Sequence, residues 1–392
     1  MRSSNQVFAG LGTTIFAEIS ALALQHDAIN LGQGFPDDEG PEELRRRAAD
    51  SVMRGPNQYP PMKGMPELRQ AVAAHNKRFY GLVVDPDREV LVTSGATEAL
   101  TDTLFALLEP GDEAIVLEPA YDCYHPIIKA AGATPVPVTM MAPEWRLDVE
   151  ALSAAFTDKT KLLVLNSPMN PTGYVFSERE LKAIARLLET YDAYAVCDEV
   201  YEHLIFSGHS HIPLMTLPGM RERCVRVGSA GKTFSLTGWK VGYITAAPAL
   251  IDVIAKAHQF VTFTTPPAFQ MAVAWGLGQE DAYFTGLRQE MEQRRDLLGD
   301  GLRDIGFDVV ESGGTYFLTT DITSLGFDGD DDAFCRQLIT QAGVAAIPIS
   351  AFYGDSKTAP KNFVRFCFCK QEDVLKSALD RLRHWQEKRQ AA

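Results

Sequence analysis

The amino-acid sequence predicts an α/β fold: a large domain with a mostly parallel sheet of the seven-stranded type between helices, plus a smaller α+β domain. In the first two thirds of the chain, short apolar runs alternate with amphipathic helical segments, a pattern typical of a parallel sheet covered on both faces. After about residue 280 the pattern changes to one long charged helix with strand-like segments behind it. The 392 residues also exceed what a single ordinary core holds, so we expect two lobes.

We expect three parts along the chain. Residues 1–40 are predicted to form an N-terminal arm and part of the small domain, residues 41–285 the large domain, and residues 286–392 the small C-terminal domain. A capping box of Ser177 and Glu180 predicts where one connecting helix begins. The strands predicted in the large domain are residues 89–94, 113–118, 161–166, 193–198, 224–229 and 241–246.

Charge and hydropathy limit the kinds of partner. The net charge of −14 argues against nucleic acid or an anionic membrane as a primary partner. No apolar run approaches the roughly eighteen residues that a membrane helix needs. The first residues also lack the apolar core and cleavage site of a signal peptide. The expected location is therefore the cytoplasm.

The cysteines and histidines predict neither disulfides nor a metal site. The six cysteines are scattered without a Cys-x-x-Cys pair, and Cys367 and Cys369 share one face of a predicted strand. His209 and His211 are two residues apart, but no carboxylate or cysteine partner stands nearby in the sequence. We therefore expect reduced core thiols and no metal.

Four predicted strands end in small or polar residues suited to binding. In open α/β sheets, ligands bind outside the carboxyl ends of the strands, so residues at these ends are expected to meet. One such strand end carries little information, whereas four together indicate one large ligand site. In chain order the residues are Gly95, Ala96 and Thr97, then Asn166 and Asn170, then Asp198 and Tyr201, and then Ser229 and Lys232.

This set of side chains matches the needs of pyridoxal phosphate (PLP). Its phosphate needs backbone N–H groups, hydroxyls and a cation, and its ring nitrogen needs a carboxylate. Its phenolic oxygen needs hydrogen-bond donors, its ring a flat partner, and its aldehyde a lysine amine. Gly95, Ala96 and Thr97 could bind the phosphate together with Ser229 and Lys240, and Asp198 could face the ring nitrogen. Asn170 and Tyr201 could donate to the phenolic oxygen, Tyr121 could stack on the ring, and Lys232 could bond to the aldehyde.

Several ordered motifs carry a family resemblance over essentially the whole chain. SPMNPTG, VCDEVYEHLIF, SAGKTFSLTGWKVGY and NFVRFCF resemble the motifs of class I/II, fold-type I, PLP-dependent aminotransferases. LGQGFPD, NQYPPMKGMPELR and SGATEAL are similar to the branch of kynurenine/glutamine-transaminase-K, methionine and N-succinyldiaminopimelate aminotransferases. Any one motif is moderately specific, and the ordered set is very specific.

The resemblance implies a reaction and a set of roles. The α-amino group of an amino acid would move to a 2-oxo acid by a ping-pong mechanism, with Lys232 holding PLP as a Schiff base and moving the proton. Asp198 would pair with the ring nitrogen, and Tyr201 with the phenolic oxygen. Tyr59 would reach the phosphate in the neighbouring subunit, which implies a homodimer. Asn170 would join Tyr201 at the phenolic oxygen, and Tyr121 would stack on the ring. The remaining implied contacts are the phosphate for Gly95, Ala96, Thr97, Ser229 and Lys240, the cofactor for Asn166, and the substrate for Phe16, Gly34, Asn166 and Arg365.

Each of these residues also has a structural interpretation. Lys232 alone could be a solvated loop lysine, and Asp198 a helix cap. Asn166 and Asn170 could bond to their own turn. Arg365 could form a structural ion pair. Tyr121 and Phe16 could be core aromatics.

The substrate is less well defined by the sequence. The resemblance implies a side-chain pocket that includes Phe16, Tyr59 and Thr264, and the sequence offers no convincing second arginine for a distal carboxylate. This favours a neutral, medium-sized substrate of the methionine, glutamine or kynurenine type. Alternatives are an N-succinyldiaminopimelate aminotransferase and a PLP-dependent cysteine-conjugate β-lyase. A PLP-bearing transcription regulator is disfavoured, because no helix-turn-helix segment precedes the domain and the charge is acidic.

Overall fold

The computed structural model describes residues 4–391. The strands of this part of the chain are β1 Ile29–Asn30, β2 Val90–Thr93, β3 Glu113–Glu118, β4 Thr134–Thr139, β5 Thr160–Asn166, β6 Tyr194–Asp198, β7 Cys224–Ser229, β8 Gly242–Ala246, β9 Asp308–Val309, β10 Phe317–Asp321, β11 Val344–Ala345, β12 Ile347–Pro348 and β13 Phe363–Cys367. Its α-helices are α1 Gln6–Ala9, α2 Ile15–Gln25, α3 Glu42–Arg54, α4 Pro66–Tyr80, α5 Ala96–Leu107, α6 Tyr124–Ala130, α7 Val149–Ala155, α8 Glu178–Thr190, α9 Ala230–Thr233, α10 Pro248–Val261, α11 Pro267–Leu277, α12 Asp281–Ile305, α13 Asp331–Gln337 and α14 Glu372–Gln390.

A seven-stranded sheet forms the centre of the fold, with the strand order β2-β8-β7-β6-β5-β3-β4. Strand β8 runs antiparallel to both of its neighbours, and the other pairs are parallel. The prediction of a mostly parallel sheet in an α/β fold is therefore confirmed. All six strands predicted in this region form, and β3 and β7 have the predicted bounds.

The seventh strand, β4, was not predicted from the sequence. It lies at the edge of the sheet, pairs with β3 alone, and contains Pro135 and Pro137. Proline lacks the N–H group that a central strand needs, so a proline-containing segment is compatible only with an edge. The alternation of apolar and polar residues that marks a strand is also weak here.

Both faces of the central sheet are buried. In β5, Leu163 and Leu165 belong to one apolar core cluster, while Leu162 and Val164 belong to the cluster on the opposite face. Helices α5 and α10 pack together over the second of these clusters. Because side chains alternate along a strand, the continuous apolar run in β5 supplies both cores.

The second part of the fold contains the antiparallel sheet β12-β13-β10-β9. Strand β1 pairs with β11, so an N-terminal segment lies beside the C-terminal sheet region. The boundaries near residues 40 and 285 stay a prediction. The six cysteines are free, and the Sγ atoms of Cys367 and Cys369 are 3.1 Å apart.

The predicted capping box is present at the start of α8. Ser177 Oγ accepts from the backbone N–H of Glu180, and the Glu180 carboxylate accepts from the backbone N–H of Ser177. Between residues 4 and 391, no helix has the length and apolar character needed to cross a membrane.

Candidate active site

A cavity of about 410 Å³ lies at the carboxyl ends of β5, β6 and β7, next to the start of α5. All four strand ends identified in the sequence contribute to its wall, and two of the predicted site residues, Tyr59 and Thr264, lie outside it. The predicted residues that line it are Phe16, Gly34, Gly95, Ala96, Thr97, Tyr121, Asn166, Asn170, Asp198, Tyr201, Ser229, Lys232, Lys240 and Arg365.

Lys232 lies in the short helix α9, which follows Ser229 at the end of β7. Its ammonium group donates to the carbonyl of Gly34 at 3.2 Å and lies 5.5 Å from the centre of the Tyr201 ring. Burial lowers the pKa of Lys232 below its ordinary value. The side chain therefore faces the cavity and is not that of a solvated loop lysine.

Because Gly34 has no side chain, its backbone can lie close to the cavity. A Cβ atom at this position would stand 2.5 Å from Cζ of Phe317. Only glycine therefore allows the backbone to lie against that ring while its carbonyl accepts from Lys232.

Asp198 occupies the end of β6 and is buried. One carboxylate oxygen, Oδ2, accepts from the hydroxyl of Tyr124 at 2.6 Å, while Oδ1 is buried without a partner among the described residues. Burial raises the pKa of Asp198 to about 6, and the hydrogen bond from Tyr124 opposes this rise. An unpaired oxygen at the cavity wall is suited to a donor on a ligand.

Tyr124 was not predicted from the sequence. It is buried at the start of α6 and lies edge-on to Tyr121, with 6.0 Å between the ring centres. The spacing of three residues between two tyrosines was an available signal, because it places both on one side of a helical turn. Its contact with Asp198, 74 residues further along the chain, was not readable from the sequence.

The start of α5 forms a cup of backbone N–H groups. Gly95 precedes the helix with φ +88°, and a Cβ atom there would stand 3.2 Å from the Lys240 ammonium nitrogen. A Cβ atom on Gly242 would stand 2.8 Å from the backbone nitrogen of Ala96. A helix N-terminus beside an ammonium group is suited to binding an anion.

Arg365 lies in β13 and is only 1% exposed. Its guanidinium donates to Asn170 Oδ1 at 2.8 Å and to the carbonyl of Gly32 at 2.6 Å, while Nε is buried without a partner in the described part of the chain. It lies 3.9 Å from the centre of the Phe317 ring, and burial lowers its pKa to about 10. No acid of the described chain lies within ion-pair distance, so the structural ion pair considered from the sequence is not formed.

The two asparagines serve the backbone as well as the cavity. Asn166 donates to the carbonyl of Asp198 at 2.9 Å and accepts from the backbone N–H of Asn170 at 2.7 Å. The turn interpretation is therefore correct in part for Asn166, although one of its amide hydrogens remains for a ligand. Asn170 uses its oxygen to hold Arg365, which leaves its amide group for the cavity.

The expected side-chain pocket is not complete within one chain. Phe16 lines the cavity, but Thr264 does not, and its hydroxyl is buried without a partner among the described residues. Tyr59 is 85% exposed and packs edge-on against Phe263, with 5.4 Å between the ring centres. The place of Thr264 in the side-chain pocket therefore stays a prediction, as does that of Tyr59.

Comparison with known proteins identifies the family. The family described as aminotransferase class I and II matches residues 26–382. The chain belongs to this family. A probable N-succinyldiaminopimelate aminotransferase from Mycobacterium tuberculosis is 45% identical over 380 residues, which span 94% of this chain and 95% of that protein. A methionine aminotransferase from Escherichia coli is 41% identical over 373 residues, spanning 95% of this chain and 96% of that protein.

A solved structure supports the same relationship. The structure of N-succinyldiaminopimelate aminotransferase from Mycobacterium tuberculosis has a TM-score of 0.94 at 44% identity, and covers 98% of this chain and 100% of that chain. The predicted aminotransferase activity, the fold-type I architecture and PLP as the cofactor are thereby confirmed.

The cavity of this aminotransferase fits PLP on its own geometry. The cup at Gly95 with the ammonium of Lys240 suits a phosphate, and the unpaired Oδ1 of Asp198 suits a protonated ring nitrogen. Lys232, with its lowered pKa, suits a bond to an aldehyde. Anionic, cationic and covalent contacts of the cofactor thus each have a matching group in one cavity.

Further residues of the wall were not predicted individually. They are Thr14, Gln33, Phe35, Leu100, Asp122, Val200, Gly231, Thr237, Val241 and Phe317. Gln33 and Phe35 belong to the quoted motif LGQGFPD, which was an available signal. Phe317 lies in the cavity wall because β10 pairs with β13, and the sequence does not specify this pairing.

Proposed function

We propose that this aminotransferase moves the α-amino group of a neutral, medium-sized amino acid, of the methionine, glutamine or kynurenine type, to a 2-oxo acid. One observation carries the proposal. The cations among the described residues of the cavity wall are Lys232, Lys240 and Arg365, and each already has a use in binding PLP or an α-carboxylate. No cation of the described wall is left for a second, distal carboxylate.

We assign the proton transfer to Lys232. When bound, PLP supplies a cationic ring that withdraws the electron pair released at the substrate Cα. A lowered pKa increases the fraction of Lys232 that is an uncharged amine and able to accept the Cα proton. Asp198 would keep the ring nitrogen protonated through its unpaired Oδ1, and Tyr124 would orient that carboxylate.

The other cofactor contacts follow from position in the cavity. The N-terminus of α5 at Gly95, Ala96 and Thr97 would bind the phosphate together with Ser229 and Lys240. Tyr121 would stack on the ring. Tyr201, Asn166 and Asn170 would surround its phenolic side.

Arg365 would bind the α-carboxylate of every substrate. A buried guanidinium without an acidic partner has an unmet electrostatic need, which an entering carboxylate satisfies. Asn170 and the carbonyl of Gly32 hold the guanidinium plane, so the arginine is oriented before substrate enters. Phe16, Gly34 and Asn166 would line the same end of the site.

The working unit that we propose is a cytoplasmic homodimer. Tyr59 is exposed and outside the cavity of its own chain, which suits a residue that completes the site of a partner. The free cysteines suit a reducing compartment. Mixing a Tyr59→Ala chain with a Lys232→Ala chain tests the dimer, because half of the sites in the hybrid then carry neither change. Activity above that of both parents is expected, and activity no higher than theirs would refute the shared site.

The second candidate is an N-succinyldiaminopimelate substrate. It is favoured by the 45% identity to the relative that carries this activity in its name. A substrate of this kind has a distal acidic group, for which the described wall offers no unassigned cation. A partner subunit would then have to supply the positive charge.

An amino-donor panel against the PLP form discriminates between the candidates. Methionine, glutamine, kynurenine and N-succinyl-diaminopimelate are mixed singly with the enzyme, and cofactor absorbance reports each half-reaction. Faster turnover of the neutral donors is expected. A clear preference for the succinylated donor would refute the neutral-substrate proposal. Pyruvate and ammonia released from a cysteine conjugate would indicate β-lyase chemistry.

A further inference from the structure

Three buried ionisable residues lie together behind the start of α5, outside the cavity wall. Glu98 and Asp102 are one turn apart on α5, and His258 lies on α10. Nδ1 of His258 is 2.7 Å from Glu98 Oε1 and 3.2 Å from Asp102 Oδ2, and all three residues are less than 9% exposed. None of them contacts a ligand directly in the arrangement proposed above.

The pKa values of the three groups are shifted in different directions. Burial opposes a charge on His258, but Asp102 and Glu98 raise its pKa to about 9, so the imidazole is cationic at neutral pH. Burial raises the pKa of Asp102 to about 6, whereas contact with His258 leaves the pKa of Glu98 below its ordinary value. Glu98 is therefore the main anionic partner of His258.

Glu98 is also hydrogen-bonded to the turn that leads into α5, where the phosphate is proposed to bind. Its second oxygen, Oε2, accepts from the backbone N–H of Ser94, the residue immediately before Gly95. Ser94 is fixed from its other side, because its hydroxyl lies 2.9 Å from that of Thr265. The direction in which the next N–H groups point depends on how this turn is held.

His258 balances a charge that would otherwise oppose the cofactor. A carboxylate in the first turn of α5 would repel a phosphate bound at the same helix end. The imidazolium offsets the negative charge of Glu98 while leaving its Oε2 free to hold Ser94. Nε2 of His258 lies 3.2 Å from the carbonyl of Met62, three residues after Tyr59, so the same group also contacts the segment that carries Tyr59.

We infer that Glu98 is a positioning residue for the cofactor phosphate: it holds the Ser94–Gly95 turn, and His258 both anchors and neutralises it. The inference rests on the proposed phosphate contacts at Gly95, Ala96, Thr97 and Lys240. It assigns Asp102 a lesser part, since Asp102 contacts His258 but not the turn, and its Oδ1 is buried without a partner among the described residues.

A matched pair of substitutions tests this division of roles. Glu98→Gln and Asp102→Asn each remove one carboxylate from the same histidine, but only Glu98 also holds Ser94. Apoenzyme is titrated with PLP and with pyridoxal, which lacks the phosphate, and both dissociation constants are measured by cofactor absorbance. The ratio of the two constants isolates the contribution of the phosphate.

Glu98→Gln is expected to weaken PLP binding about tenfold or more, on the scale of a lost charge-assisted hydrogen bond, with a change of less than about twofold for pyridoxal. Asp102→Asn is expected to leave the PLP constant within about threefold of the wild-type value. Equal losses in the two variants, an equal loss for PLP and pyridoxal, or no loss in Glu98→Gln would each overturn the inference. If Glu98→Gln does not fold, Glu98→Asp is judged by the same criteria, because it retains the charge but is too short to bridge Ser94 and His258.

A third variant separates this inference from the proposed phosphate site itself. Lys240→Met should lower the preference for PLP over pyridoxal if Lys240 binds phosphate. An unchanged ratio in Lys240→Met would refute the phosphate site. If the preference for PLP over pyridoxal falls in Lys240→Met but is unchanged in Glu98→Gln, only the role of Glu98 is refuted.

Discussion

Two buried arginines in this protein have opposite surroundings. Arg226 in β7 and Arg365 in β13 are each 1% exposed. Arg226 contacts two carboxylates, with Nε 2.5 Å from Glu199 and a further ion pair to Glu202. Arg365 contacts an amide and a carbonyl but no acid within the part of the chain that the structure describes.

The difference is reflected in the charge equilibria. Burial alone would lower the pKa of Arg226, but Glu202 and Glu199 raise it well above its ordinary value. Burial lowers the pKa of Arg365 to about 10, and no carboxylate of residues 4–391 lies within ion-pair distance to oppose this. Arg226 thus has its counterions within the chain, whereas Arg365 lines the cavity without an acid of the described chain within ion-pair distance, as the proposed binding of a carboxylate requires.

The position of Arg226 explains what its network supports. Glu199 and Glu202 alternate with Asp198 and Tyr201 along the segment that begins with the last residue of β6. Asp198 and Tyr201 face the cavity, while the two glutamates turn away from it toward Arg226. The paired arginine thus fixes from behind the segment whose other side chains line the site.

The largest expected effect comes from removing the paired arginine. Arg226→Met removes the guanidinium that two buried carboxylates share and should lower the free energy of unfolding by about 3–5 kcal/mol. Arg365→Met, the matched change at the site, removes a cation that lacks an acid and should cost much less or stabilise the protein. Urea unfolding followed by circular dichroism measures both variants, and comparable losses would remove the distinction between the two arginines.

A smaller effect is expected in catalysis from the unpaired arginine. Arg365→Lys keeps the charge but loses the two-pronged geometry, so KM should rise about tenfold to hundredfold for amino and 2-oxo acids alike. The absorption spectrum of the resting enzyme should not change. Steady-state kinetics with several donors and acceptors provide the measurement. A loss confined to one substrate would instead assign Arg365 to side-chain recognition.

Asp198, the buried carboxylate at the cavity wall, should make the stability of the apoenzyme depend on pH. The folded-state pKa of Asp198 in the apoenzyme is about 6, above its ordinary value of 3.8, so the folded chain binds the proton more tightly and loses stability as pH rises between these values. Asp198→Asn should therefore make the apoenzyme more stable at pH 7 by about 1–2 kcal/mol, with little difference at pH 4. Thermal unfolding of both proteins across this range measures the effect. If the stabilisation by Asp198→Asn increased as the pH fell, the predicted direction of the pH dependence would be contradicted.

The smallest effect is expected at an exposed pair. Arg46 and Glu42 are 2.7 Å apart on α3 but are 63% and 74% exposed. Arg46→Met should change the free energy of unfolding by less than about 0.5 kcal/mol, because water solvates the partner left behind. Chemical denaturation measures it beside Arg226→Met. A loss as large as that of Arg226→Met would mean that pairing matters regardless of burial.

Much of the candidate site was predictable because its signals are local. Each strand end joins an apolar run to a turn, and the residues of that turn are neighbours in sequence, as with Ser229 and Lys232. The rule that ligands bind at carboxyl ends of parallel strands then brings the turns together without knowledge of side-chain packing. The strand β4 was missed because its prolines are acceptable only at an edge, and edge position is not a local property.

By itself, the sequence determined the family, the cofactor and the lysine at the end of β7 that lines the cavity, since short motifs in a fixed order carry that information. The family resemblance singled out Arg365 as a substrate-binding residue, but the similar apolar segments CVRVGS and NFVRFCF did not show which of the two arginines has acidic partners. Only the tertiary structure decided which of them is paired. The acidic partners of Arg226 lie 24 and 27 residues away, and the hydrogen-bond partners of Arg365 lie 195 and 333 residues away, so both sets depend on how strands and loops come together in space. Burial strengthens an electrostatic contact, but only long-range packing determines whether a counterion is there to make it.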